Sequence, residues 1–172
     1  MPEKEYYLAC VDLDGRRCLV VGDGTLAREK ADGLRRAGAQ VTQMAPSEYT
    51  DADLDEVWLV VAATANDELN RRVSAEAEAR RVFCNVADVP ELCSFILPAI
   101  HRRGPIALAV STSGASPALA QRLRDDLGRQ IGPEHEELAA ALRRLRPWTR
   151  RTFETYEERS DFFRRAVTRA LG

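Results

Sequence analysis

The stretch Cys18-Leu19-Val20-Val21-Gly22-Asp23-Gly24-Thr25-Leu26-Ala27 sets a short apolar run directly against a glycine-punctuated turn. The run reads as a buried strand bounded by its glycines. Downstream, Ala27, Ala31, Leu34 and Ala37 recur at helical spacing with Arg28, Lys30, Arg35 and Arg36 interspersed, and Gly38 follows where a helix stop belongs. Ala39 to Met44 alternates weakly as a second strand, which closes one β-α-β unit. The turn itself fits G-x-G-x-x-A. Gly22 and Gly24 let the backbone approach a pyrophosphate, and the helix that starts at Thr25 and Leu26 offers unpaired N–H groups to it. The same spacing also occurs as plain turn chemistry. Asp23 places a negative charge close to where a diphosphate would lie, and the acid that such folds carry about 20 residues on is absent from Thr42-Gln43-Met44-Ala45-Pro46. A ribose would then be held by backbone around Pro46 and by Ser47 or Glu48.

Outward from this unit, Val57 to Ala63 is continuously apolar, as a central parallel strand covered on both faces requires. Thr64 to Asn66 makes a turn, and Leu69, Val73 and Ala77 form a stripe on the next helix. Val82 to Val86 and Ile106 to Val110 read as further strands. Ser116-Pro117 then starts a helix with a cap and a proline in its first turn, and its predicted core face is Leu119, Leu123, Leu127 and Ile131. The remainder is helical by pattern. One helix carries Leu138, Ala141, Leu142 and Leu145 and is expected to end at Pro147; another carries Phe162, Phe163, Ala166, Val167 and Ala170. The reading is an α/β, Rossmann-like parallel sheet over residues 1–112, short of one edge strand, followed by a mainly helical dimerisation region over residues 113–172.

Composition narrows the function classes. The 172 residues are 45% hydrophobic and 30% charged, as in a globular protein with a sizeable core. With 27 acidic and 25 basic side chains the balance does not point to nucleic acid or an anionic membrane as partner. Arginine is concentrated from Arg143 to Arg169, either as a solvated helix face or as an attractor for a polycarboxylate ligand. No signal peptide or membrane-length apolar window is visible, so a cytoplasmic protein is expected. Cys10, Cys18, Cys84 and Cys93 match neither a zinc knuckle nor a Cys-x-x-Cys pair and are read as reduced. His101 and His135 lie apart without an acid or cysteine cluster, and no metal is assigned to them.

Two further stretches sit where open parallel sheets bind ligands, at the carboxyl ends of strands. Cys84-Asn85-Val86-Ala87-Asp88 ends an apolar strand in a polar residue and then an acid; Asp88 can act as a general base, though an acid at a strand end is more often a helix cap or turn residue. Ser111-Thr112-Ser113-Gly114-Ala115-Ser116-Pro117 is a hydroxyl- and glycine-rich turn that can bind an anion or simply cap the following helix.

Taken in order, Leu19 to Gly24 with Ala27-Arg28-Glu29-Lys30, Ala62-Ala63-Thr64 with Asn70, Cys84 to Asp88, Ser94-Phe95-Ile96-Leu97-Pro98-Ala99 and Ala109 to Pro117 resemble the dehydrogenase and ferrochelatase module of siroheme synthases. The resemblance extends from about Tyr7 through the arginine- and phenylalanine-bearing tail. It implies NAD-dependent oxidation of precorrin-2 to sirohydrochlorin by a stand-alone, homodimeric protein, with Asp88 matching the family's essential acid; in some members the same acid serves iron insertion. It further implies NAD held over Gly22, Gly24, Thr25, Leu26, Pro46, Ser47, Ala63 and Thr64. The tetrapyrrole would be held at Asn85, Ser111, Thr112, Ser113 and Gly114, with arginines of the tail meeting its carboxylates. Three departures stand out: Asp23 where members often carry glycine, the short segment between Met44 and Val57, which omits an edge strand, and Thr112 in place of a common serine. No methyltransferase region follows Gly172, so uroporphyrinogen methylation is not expected.

Overall fold

A computed structural model describes residues 5–172 and divides the chain into two units, one ending at Leu97 and one spanning Pro98–Gly172. In the first unit the opening strand-turn-helix is β1 (Arg17–Val21) and α1 (Thr25–Arg36), followed by β2 (Gln40–Met44), β3 (Leu59–Ala62), α2 (Asp67–Arg80) and β4 (Phe83–Val86). The four strands form one parallel sheet in the order β2-β1-β3-β4. Parallel strands need both faces covered, and the side-chain period of two sorts them accordingly. Cys18, Val20, Leu59 and Val61 face the side of Ala27 and Ala31 on α1. Leu19, Val21, Val60 and Ala62 face the side of Val73 and Ala77 on α2.

Between β2 and β3 there is no strand, only two 3-10 turns at Pro46–Glu48 and Asp51–Leu54, so β2 is the sheet edge. Tyr49 and Leu54 from this segment are buried and close the sheet face beside α2. The Tyr49 hydroxyl donates to Glu76 at 2.6 Å and its ring lies 5.2 Å from the Arg72 guanidinium. Two side chains anchored to α2 thus do the covering that a crossover helix does elsewhere.

The second unit begins with an antiparallel hairpin, β5 (Ala99–Arg103) and β6 (Ile106–Val110). Three helices follow: α3 (Pro117–Gly128), α4 (Pro133–Thr152) and α5 (Tyr156–Leu171). The strand at Ile106–Val110, grouped by sequence with residues 1–112, therefore pairs within the second unit and not with the parallel sheet.

Two local expectations are corrected here. The face of α3 expected in the core is outside: Leu119, Leu123 and Leu127 are 50%, 39% and 41% exposed. The helix meets the hairpin through Ala120 and Gly128 instead, because only small residues admit the bulky inner face of the hairpin. A Cβ at Gly128 would lie 2.7 Å from Nδ1 of His101. Nor does Pro147 end its helix, since α4 continues through it to Thr152. A proline inside a helix costs about 3 kcal/mol. Trp148 packs on Phe153 and Phe162 at 5.8 and 5.5 Å, and those two rings lie 5.6 Å apart. Three such pairs, each adding about 0.5–1.5 kcal/mol beyond buried area, offset the break and hold the last turn of α4 to α5.

Candidate functional site

The register Val21↔Met44, Val21↔Ala62 and Ala62↔Val86 brings the carboxyl ends of all four strands to one edge. The loops leaving that edge carry Gly22–Leu26, Pro46–Ser47, Ala63–Thr64 and Ala87–Asp88, so the predicted cofactor residues and Asp88 lie at one end of the sheet, whereas Asn85 is buried within β4. Ser111–Gly114 lie in the second unit, between β6 and α3.

The two glycines of the first turn do different work. Gly22 sits at φ +147°, donates its N–H to Met44 O at 2.9 Å, and leaves no room for a side chain. A Cβ there would fall 2.4 Å from Ala63 O and 2.9 Å from the Ala27 Cβ. Gly24 is the N-cap of α1 at φ −75°, and a Cβ on it would meet nothing within 4 Å. No side chain caps α1 and no acid stands in its first turn, so the N–H groups there face open space with the positive end of the helix dipole behind them. That cradle fits a diphosphate. Asp23 is exposed, and its carbonyl accepts from Arg28 Nη1 at 2.9 Å, which draws a guanidinium back toward the turn. Sequence reasoning passed over Arg28; its place one turn into the helix after the glycines was the available signal.

Around this cradle the other cofactor candidates are mostly braced by the protein. Gln43 Nε2 donates to Gly22 O at 3.0 Å and ties β2 to the glycine turn. Glu48 accepts from Ala45 N at 3.0 Å and so closes its own 3-10 turn, whereas Ser47 is exposed. Thr64 Oγ1 donates to Asn70 Oδ1 at 2.8 Å and accepts from Asn66 N at 3.1 Å; Asn70 Nδ2 donates in return to Thr64 O at 3.1 Å. The Thr64 hydroxyl and carbonyl are therefore both tied to Asn70 and shape the loop.

Asp88 occupies the third position of a turn closed by Val89 N donating to Val86 O at 3.3 Å. Its φ is +62°, a conformation that costs a non-glycine residue about 1 kcal/mol or more. The residue is exposed, its carboxylate accepts no hydrogen bond from the described residues, and the neighbouring 3-10 turn Pro90–Leu92 starts from Val89 as its N-cap. The helix-cap role left open for Asp88 by sequence is thus not the one it plays. Asn85 is buried, and its Nδ2 donates to Phe95 O at 3.1 Å, leaving its carboxamide oxygen without a protein donor. Burial pushes the neighbouring Cys84 thiol up to about 12, so it stays a thiol in the core.

In the second unit, Ser113 and Gly114 are consecutive left-handed residues at φ +51° and +88°. Thr112 Oγ1 accepts from Ser116 N at 3.1 Å and donates to Ser116 O at 3.0 Å, and Ser111 Oγ accepts from Ser113 N at 3.1 Å. Ser116 Oγ caps α3 at Leu119 N. The turn is therefore built by Ser111, Thr112 and Ser116, and leaves Ser113 and Gly114 exposed at its tip. Among the described residues no three His, Cys, Asp or Glu side chains gather as a metal site, and no helix is long and apolar enough to cross a membrane.

Comparison with known proteins adds to this geometry. Residues 9–99 match a family described as "Putative NAD(P)-binding", and residues 103–130 match one described as "Sirohaem biosynthesis protein central". The chain is 38% identical over 170 residues to a siroheme synthase of Escherichia coli O139:H28, covering 88% of this chain and 37% of that protein. It is 37% identical over 167 residues to siroheme synthase 2 of Cronobacter sakazakii, covering 86% of this chain and 36% of the relative. The chain thus spans little more than a third of these relatives. A solved structure titled SirC, precorrin-2 dehydrogenase, superposes with a TM-score of 0.75 at 25% identity, covering 94% of this chain and 89% of that one.

Proposed function

The chain belongs to the NAD(P)-binding family shared by the N-terminal modules of siroheme synthases and SirC, and from that premise we propose that it oxidises precorrin-2 to sirohydrochlorin with NAD as acceptor. The observation that carries the reading is the unpartnered Asp88 carboxylate at the same sheet edge as the open cradle over Gly24. Bound NAD supplies the hydride acceptor, taking two electrons and one proton. The second proton goes to the Asp88 carboxylate, which is exposed and passes it to water. Gly22, Gly24, Thr25 and Leu26 hold the diphosphate through backbone N–H groups, with the backbone of Pro46, Ser47, Ala63 and Thr64 beside them.

On the same reading the Rossmann-like part within residues 1–112 carries the dinucleotide, and residues 113–172 serve pairing and tetrapyrrole binding. Asn85 in the first unit, and Ser111, Thr112, Ser113 and Gly114 in the second, are the residues proposed for tetrapyrrole binding. Arg143, Arg144, Arg146, Arg150 and Arg151 of α4 have no ion-pair partner among the described residues and are available to carboxylates, which guanidinium forks bind well. The exposed leucines of α3 are covered by a second copy of the chain. The reaction is placed in the cytoplasm.

Anaerobic incubation of the purified protein with precorrin-2 and NAD tests the proposal. Equal appearance of reduced nicotinamide and sirohydrochlorin is the expected result; tetrapyrrole binding without turnover removes it.

A further inference from the structure

The strand β4 is an edge of the parallel sheet, so the N–H and C=O groups of Cys84 and Val86 point away from β3 with no strand to meet them. Two consecutive side chains seal that edge. Ser94 Oγ accepts from Cys84 N at 2.7 Å, while Ser94 N donates to Cys84 O at 2.9 Å. At the next outward-pointing residue the partner is a thiol: Cys93 Sγ accepts from Val86 N at 3.2 Å and lies 3.2 Å from Val86 O as a donor. The same sulfur lies 3.3 Å from Val89 O and 3.5 Å from Asn85 Nδ2. Val86 and Val89 are the first and last residues of the turn that holds Asp88 at φ +62°.

We infer that Cys93 is a positioning residue for Asp88, its buried thiol bonding both ends of the turn and so setting where the carboxylate stands. The inference rests on the dehydrogenase reading, in which that carboxylate takes the proton. A single proton on sulfur is shared between Val86 O and Val89 O, whereas the lone pairs take Val86 N–H; a side chain without donor and acceptor leaves the turn closed only by its own Val89 N–Val86 O bond. Sulfur also suits the place by size, since its hydrogen bonds are long enough to reach strand and turn from one point. Ser94, one residue on, seals the same edge further from the turn and serves as the control.

The test compares Cys93→Ala, Cys93→Ser and Ser94→Ala in the full chain, measuring kcat, the KM for NAD and for precorrin-2, and the thermal midpoint. Cys93→Ala is expected to lower kcat about tenfold at unchanged KM for NAD, with Cys93→Ser restoring it to within about threefold. Ser94→Ala is expected to lower the midpoint and leave kcat in place. If Cys93→Ala does not fold, Cys93→Val, which fills the space without the hydrogen bonds, takes its place. An unchanged kcat in the folded variant, or an equal loss in Ser94→Ala, overturns the inference alone. Absence of turnover by the wild-type chain overturns the dehydrogenase reading and the inference with it.

Discussion

Replacing Gly22 and Gly24 one at a time by alanine separates a glycine needed for packing from a glycine needed for binding. At Gly22 the new methyl would fall 2.4 Å from the Ala63 carbonyl and 2.9 Å from the Ala27 Cβ, while φ stays at +147°. The backbone conformation alone costs about 1–3 kcal/mol. The overlap adds an overpacking cost of about 1–3 kcal/mol, because the atoms in the way are the end of β3 and the first turn of α1, neither of which can swing aside. A destabilisation of about 2–6 kcal/mol is expected, a large share of a typical domain's total stability of about 5–15 kcal/mol. At Gly24 the φ of −75° suits alanine and nothing lies within 4 Å. The loss of a glycine N-cap, about 1 kcal/mol, is opposed by the smaller entropy of the unfolded chain, about 0.4–1 kcal/mol. Gly24→Ala should therefore fold with nearly wild-type stability, yet its methyl stands where a diphosphate would come, and NAD affinity should fall at least tenfold. Urea unfolding measures the first quantity and calorimetric titration with NAD the second. A Gly24→Ala protein that binds NAD as the wild type does would refute the cradle, and a Gly22→Ala protein with an unchanged urea midpoint would refute the packing argument.

Asp88→Asn should lower kcat by about 10²–10⁴, the span of a general base, and leave the unfolding midpoint unchanged, because its carboxylate has no partner to lose; steady-state kinetics beside thermal melting tests both halves. Glu158 is held below the usual carboxylate range, first by the Thr155 backbone N–H at 3.1 Å and then by the Thr155 hydroxyl. A depressed folded value means support for α5 that is present above the unfolded pKa and lost as pH falls through the folded one. Glu158→Gln should accordingly lower the melting temperature at neutral pH and make no difference in strong acid. Leu123→Glu places a charge in the exposed stripe of α3 and should shift sedimentation from dimer to monomer without unfolding the chain. Neutralising Arg150 and Arg151 together should raise the KM for precorrin-2 several-fold, each exposed charge pair being worth about 0.2–1 kcal/mol; an unchanged KM returns them to the solvated face.

Local patterns were enough for the elements that make the cradle. The apolar run before Gly22, the helical recurrence after it and the continuous apolar strand ending at Ala62 each state their period within a few residues, and burial on two faces marks such runs as strands of a parallel sheet. The Ser116 cap was legible for the same reason: its hydroxyl reaches an N–H only three residues away. The loops of the site were visible as positions, but not what their side chains do. Whether Asp88 caps a helix or stands free depends on Val89 starting the next turn, and Thr64 points into its own loop because Asn70 of α2 is there to receive it.

What sequence by itself determined, then, is the order of strands and helices in the first unit, since these follow from period and turn chemistry along the chain; the strand Ala99–Arg103 of the second unit was not legible, and only its pairing with Ile106–Val110 reveals it. Tertiary structure alone decided which apolar stripe is covered. The leucines of α3 have the spacing of a core face, yet Ala120 and Gly128 are the buried residues, Gly128 because a side chain there would meet His101, and the helix through Pro147 survives because Trp148, Phe153 and Phe162 meet across two helices. Cys93 shows the same limit in the site. A cysteine in a loop has no period, and its meaning comes from the open edge of β4, whose Val86 N–H and C=O it satisfies. Periodicity reports what a residue can bury, and only the partner that arrives through space settles whether it does.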